Sequence, residues 1–295
     1  MPMKNHVSVG GYYGGKAEML KVLLPQFETP HVIFVDVFCG GGSVILNKPP
    51  AKIEVMNDAS ETVITFWRTL RERPQELMRA IDRTPPGEAA LNEIKNAPPT
   101  KDEVEIARRF YCGTQITMLN TPGRGSAGVV TAVQYCSNRK KARLAKVVRR
   151  LRDVQIWNTD ACRIIKRMAG AAQRRLVGNV PDMPGQVLFY LDPPYAADTR
   201  GTSCNDYLVD YGKETSAEFH SRLLDCVLEH AAQGFKFCIS GYHNREYDRR
   251  LAEFHCVEYS KAVTAASKKG KRGKARRAVE CVWRNYPVGA EGMLL

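Results

Sequence analysis

The sequence predicts an α/β fold, a doubly wound and mainly parallel sheet carrying a largely helical insertion. Three observations predict it. Short apolar runs bounded by turn residues recur along the chain and alternate with helical patterns. Glycines and acidic residues stand at the ends of those runs, where an open α/β sheet binds ligands. Between Ser60 and Asp153 the alternation stops, as it does where a second unit interrupts a βα repeat.

The first marked stretch is GGYYGGKAEM, Gly10 to Met19. It reads as G-x-x-x-x-G-K, yet Ala17 stands where a phosphate loop needs a Ser or Thr hydroxyl for Mg²⁺. The preceding MPMKNHVSV is also a poor buried strand. Two readings are open here: a degraded nucleotide loop, or glycines that serve another ligand. HVIFVDVF (31–38) is the first strand, and DVFCGGGS after it lets backbone approach a ligand closely. Its spacing is not that of a dinucleotide fingerprint. KIEVMND (52–58) is the second strand, and Asp58 at its end is placed to accept from ribose hydroxyls. A helix follows from Ser60.

The interrupting region is helical and then carries TQITMLNTPGRGSAGVVTAVQY, a β-prone stretch around a turn-rich centre. It reads as a protruding loop or hairpin. VQIWNTD (154–160) is the third strand, ending in Asp160, and ACRIIKRMAGAAQRRL continues as helix. GQVLFYLDPPY (185–195) is a buried strand that ends in a rigid corner. FKFCISGY (235–242), FHCVEYS (254–260) and ECVWRNY (280–286) complete the strands, and PVGAEGMLL reads as a loose tail. Each strand-end Asp taken singly also suits a helix cap. Three of them beside a glycine turn make a nucleoside pocket.

Bulk properties point to a polyanionic partner. The chain has 295 residues, 44 basic against 31 acidic, and a formal charge of +13. That excess favours nucleic acid. It concentrates in RKKARLAKVVRRLR (139–152) and KKGKRGKARR (268–277). No apolar run reaches membrane-spanning length, and the polar start does not resemble a signal peptide, so a cytoplasmic protein is expected. The nine cysteines contain no C-x-x-C pair and read as reduced thiols rather than a disulfide or zinc framework. The six histidines include no H-x-x-x-H pair, and no metal is expected.

LDPPY, Leu191 to Tyr195, is the sharpest signal. Two prolines fix the backbone and remove two N–H donors, leaving carbonyls as acceptors. Asp192 adds a carboxylate and Tyr195 a flat ring. Such a corner accepts from an exocyclic amino group and stacks on its base.

With these segments in order, the chain resembles the Dam-type (D12 class) DNA adenine N6-methyltransferases, which use S-adenosylmethionine and are common in bacteria and their phages. YYGGK (Tyr12–Lys16) is similar to the family's N-terminal motif, FCGGG (Phe38–Gly42) to F-x-G-x-G, ND (Asn57–Asp58) to its ribose-binding element and DPPY to its catalytic motif. DTR (198–200), SGY (240–242) and RNY (284–286) resemble later landmarks. The resemblance implies a Rossmann-like methyltransferase sheet over 1–60 and 153–290, with a DNA target-recognition domain over 61–152. It settles the opening question in favour of a methyl-donor ligand.

The implied roles follow residue by residue. Asp192, Pro193, Pro194 and Tyr195 would hold a flipped adenine for direct transfer to N6. Tyr12 and Lys16 would frame the donor and the base. Asp36, Phe38, Gly40 and Gly42 would line the donor's methionine end, with Asp58 on its ribose, Asp160 near its adenine and Asp192 beside its methyl. Double-stranded DNA and S-adenosylmethionine are the expected partners, with no membrane. Arg124, at the tip of TPGRG, suits a guanine edge, and Asn120 is a second base-reading candidate. Lys140, Lys141 and Arg143 suit phosphates. Cytosine-N4 methylation remains open because it targets a related amine. RNA as substrate and a silent DNA-binding scaffold also remain. Cytosine-C5 chemistry needs a Pro-Cys nucleophile, which the chain lacks.

Overall fold

Each of the seven runs read as strands becomes one. The computed structural model describes residues 7–9, 15–117, 139–173, 183–195, 216–262 and 277–289. The strands are β1 Ile33–Asp36, β2 Ile53–Asn57, β3 Val154–Trp157, β4 Val187–Leu191, β5 Lys236–Tyr242, β6 His255–Ala262 and β7 Arg277–Arg284. They form one seven-stranded sheet in the order β3-β2-β1-β4-β5-β7-β6. The first five in that order run parallel, while β7 is antiparallel to both its neighbours. The chain steps from β1 out to β3 and then returns to the far side of β1 for β4. That reversal opens a crevice beyond the carboxyl ends of β1 and β4, the ligand position of such sheets.

Both faces of the sheet are covered, which is why its inner strands read as unbroken apolar runs. Successive side chains still alternate between faces. Phe34, Met56, Leu188 and Tyr190 enter one core. Ile33, Val35, Val55, Val187 and Phe189 enter the other. The first core is roofed by α1 Glu61–Glu72, α2 Pro74–Asp82, α3 Glu88–Asn96, α4 Glu103–Ile116 and α5 Arg139–Leu151. The second is roofed by α6 Ala161–Gln173, α7 Ala217–Ala231 and α8 Arg245–Arg250. Local sequence starts several of these helices. Ser60, Asp102, Ser216 and Asn244 each accept a first-turn N–H at the N-cap, a bond whose loss costs about 1 kcal/mol.

The described part of the 61–152 segment is thus the helical layer on one face of the sheet. Trp67, Leu70, Phe110, Leu144 and Leu151 share a core with Phe34 and Tyr190. The hairpin expected around NTPGRGSAG lies outside the described residues, as do Asn120 and Arg124. The basic run on α5 divides by face. Leu144, Val147 and Leu151 are buried and Arg143 is exposed. Arg150 turns inward to Glu54 of β2, donating to Oε2 at 2.5 Å and to Oε1 at 2.9 Å. Lys48 reaches the same carboxylate at 2.9 Å.

Candidate active site

The crevice is built by backbone first. The turn after β1 places Gly40 at φ 42° and Gly42 at φ 67°, in the region where any Cβ is strained. Space excludes one as well: a Cβ on Gly42 would lie 2.9 Å from the Trp67 ring. That ring belongs to α1, and its Nε1 donates to the Gly40 carbonyl at 2.9 Å. Asp58, only 1% exposed, holds the other side of the turn. Its Oδ2 accepts from Gly40 N at 2.9 Å and its Oδ1 from Ser60 N at 2.9 Å. Asn57 ties three strand ends together, donating to the Val37 and Thr159 carbonyls and accepting from Thr159 N. The glycine turn is therefore fixed from both sides before any ligand arrives.

Across the crevice stands the end of β4. Lys16, in a short helical turn, is only 6% exposed. Its Nζ lies 2.7 Å from Asp192 Oδ2, and its ammonium sits 5.1 Å from the Tyr195 ring centre. Burial by itself would lower the Lys16 ammonium. The Asp192 carboxylate, then Glu280, overrules that and holds it above its ordinary value. Asp192 keeps 17% of its side chain exposed, so the pair reaches the crevice wall. Pro193 and Pro194 are buried and Tyr195 is half-buried.

Tyr195 is itself held. Its hydroxyl donates to Glu280 Oε2 at 3.3 Å, and Tyr242 donates to Oε1 of the same carboxylate at 3.2 Å. The two rings meet at 4.5 Å between centres. Glu280 is 3% exposed and lies opposite Tyr242 in the β5–β7 ladder. A charged residue inside an apolar strand was the only sequence signal for it. Trp67 had no signal beyond a helix-face position.

Asp36, at the end of β1, is buried, and its Oδ1 has no hydrogen-bond partner among the described residues. Burial, reinforced by the Asp192 and Asp58 carboxylates, pushes its carboxyl well above the usual range. An orphaned buried acceptor beside a glycine turn suits a ligand that brings its own donor. Phe38 packs edge-on to Phe219 beneath the turn.

Other sequence candidates take structural posts. Asp160 caps α6 through Arg163 N at 3.1 Å and pairs with Arg222 at 3.0 Å. In the RNY segment, Arg284 donates to Gln26 Oε1 at 3.0 Å and Tyr286 to the Gln26 carbonyl at 2.9 Å. Asn285 joins Phe235 and Phe237. In SGY, Ser240 meets the Tyr190 hydroxyl at 2.9 Å. Tyr12 and the DTR segment lie outside the described residues, as do the side chains of Lys140 and Lys141 and nearly all of 268–277. A separate cavity of about 600 Å³, lined by Phe27, His31, Asn47 and Lys48, lies by the amino end of β1, away from Asp192. No described helix is long and apolar enough to cross a membrane.

Comparison with known families agrees with the motifs. Residues 12–100 match the model of the D12 class N6 adenine-specific DNA methyltransferases. The match takes in Lys16, the glycine turn, Asp58 and α1 to α3, and it ends before Asp192. The matched family is made of enzymes, and the chain is an enzyme. No curated protein matched the chain.

Proposed function

We propose that this chain is a D12-class enzyme that transfers a methyl group from S-adenosylmethionine to the N6 amino group of an adenine flipped out of duplex DNA. The observation that carries the reading is the Lys16–Asp192–Tyr195 cluster facing the fixed glycine turn across the sheet's switch point. S-adenosylmethionine, when bound, supplies an electrophilic methyl on a cationic sulfur.

The rest of the chemistry belongs to this chain's residues. A target amine inside a duplex is out of reach, so the base must leave the stack. Tyr195, braced by Glu280 and Tyr242, would present its ring to the extruded base. Asp192 and the Pro193 carbonyl would accept the two amino hydrogens, directing the nitrogen lone pair out of the ring. Lys16 favours the ionised, accepting form of Asp192, and a carboxylate has about four acceptor directions, so their bond leaves capacity for the amine. No early general base is needed, because the nitrogen becomes acidic only once methylated. Its surplus proton can then pass to Asp192. Catalysis rests on orientation and on fixed charge. Lys16, Asp192 and Glu280 together leave one negative charge, which suits a cationic donor.

For the donor, Asp36 Oδ1 would accept from the amino group of its methionine end, past Gly40 and Gly42. Asp58 would take a ribose hydroxyl through lone pairs beyond those that bind the turn. Asp160 would lie toward the donor's adenine. Bases on target DNA would be read by Arg124 and Asn120, with phosphates gripped by Lys140, Lys141 and Arg143.

The test is mass spectrometry of nucleosides digested from unmethylated DNA after incubation with enzyme and donor, with Asp192→Ala in parallel. N6-methyladenine is expected with the native enzyme, and a loss of at least about a thousandfold is expected in the variant. N4-methylcytosine would overturn the choice of base. Full turnover by Asp192→Ala would overturn the mechanism.

A further inference from the structure

We propose that His243, Cys256 and Cys281 form a binding site for a zinc-class divalent cation, on the back of the strands that hold Tyr195. Linear spacing hides it, because the ligands come from the end of β5 and from both arms of the β6–β7 pair. The ligand atoms of His243, Cys256 and Cys281 all lie within 4.8 Å of one another.

The imidazole is already oriented from both ends. Nδ1 lies 2.7 Å from Asp248 Oδ1 and Nε2 lies 3.1 Å from Glu258 Oε1. A carboxylate on the second ring nitrogen is the usual way a metal-binding histidine is fixed in tautomer and direction. Without a metal both ring nitrogens donate to carboxylates, and an entering cation would replace the proton on one of them. A cation placed there has two sulfurs and one nitrogen within reach, three of the four donors of a tetrahedral zinc site, with a water molecule as the fourth. Binding releases a proton from each thiol, so charge balances as the cation enters.

Register distinguishes this site from a disulfide. Cys281 stands opposite Glu258 and Cys256 opposite Trp283, so the two cysteines are diagonal neighbours. Diagonal side chains are farther apart than the Cβ separation of roughly 4 Å that a disulfide needs. A shared ion, bonded to each sulfur at about 2.3 Å, spans the longer gap.

The location gives the site a consequence. His243 and Cys281 directly follow Tyr242 and Glu280 in the chain, and Cys281 and Trp283 belong to the opposite core. The His243 ring lies edge-on to Trp283 at 6.0 Å on that side. An ion there would join the strand ends that carry the Tyr195 brace.

The test is a titration of the metal-free, full-length protein with Co²⁺, which reports sulfur ligation by colour. One equivalent is expected to bind with thiolate-to-cobalt charge-transfer absorption and tetrahedral visible bands, and Zn²⁺ is expected to displace it. Cys256→Ser and His243→Ala, both at the surface, should each weaken binding at least about tenfold. Buried Cys281 is left unchanged because its loss could unfold the hairpin. No charge-transfer band in folded protein would overturn the proposal, and so would a band undiminished in Cys256→Ser. Neither readout involves methyl transfer, so it fails or succeeds independently of the function proposed above.

Discussion

At the scale of single residues, the site turns on one buried cation. Lys16 faces Asp192 at 2.7 Å, and the attraction is mutual: it favours the ammonium and equally favours the ionised carboxylate. Lys16→Met should therefore reduce activity and move its failure on acidification to higher pH, because Asp192 then ionises less readily. A pH profile of kcat/KM checks this, and an unshifted acid limb would mean that Lys16 acts only on the donor. Glu280 acts one step back as a positioning residue, holding the hydroxyls of Tyr195 and Tyr242. Removing that carboxylate leaves two tyrosine hydroxyls to find new acceptors in a buried site, a cost of roughly 1–3 kcal/mol. Glu280→Gln keeps an acceptor but loses the charge on Lys16. It should alter kcat more than KM for DNA, whereas a purely structural role would lower stability and leave both constants of the folded fraction unchanged.

At the scale of elements, the joint between α5 and the sheet matters most. Glu54 on β2 accepts from Lys48 and Arg150, and Arg150 also donates to the Ile45 carbonyl at 2.7 Å. Desolvation would raise this carboxyl, but hydrogen bonds from Arg150 and Lys48 outweigh it and hold it below its ordinary value. A depressed carboxyl stabilises the fold fully above the unfolded value of 4.5 and loses that contribution as pH falls through the folded value. Glu54→Gln leaves two buried cations facing each other and should cost roughly 3–5 kcal/mol. Denaturant melts of both proteins should show that gap at neutral pH and a narrower one in acid. An equal gap at both would mean that Glu54 contributes by packing alone. The same joint turns Arg150 of the 139–152 basic run inward, away from solvent.

At the scale of the whole molecule, the charge of +13 belongs with a polyanionic partner. The slope of log affinity against log salt steepens by about 0.9 for each phosphate that a protein neutralises. Changing Lys140, Lys141 and Arg143 to Gln should flatten that slope by the same step for every phosphate these side chains grip. An unchanged slope would mean that α5 turns away from DNA. Local pattern determined much of this protein. Seven apolar runs became seven strands because a strand's burial is written in neighbouring residues, and Ser60 began its helix because a cap is a local bond. The glycines at 40 and 42 were legible for the same reason, their backbone being strained for any other residue. What the sequence did not contain was the meeting of distant segments. Asp160 could be read as a cap or as a pocket acid; the cap is local, but its pairing with Arg222 comes only from tertiary packing. RNY read as a landmark and is a staple on Gln26 and the β5 backbone. The antiparallel entry of β7 between β5 and β6 brought Glu280 to Tyr195 across 85 residues of chain. The same entry set Cys281 beside Cys256 and His243. Residue type and period are properties of a segment and survive in the sequence. Which carboxylate meets which cation depends on strand order, which exists only once the sheet has closed around its core.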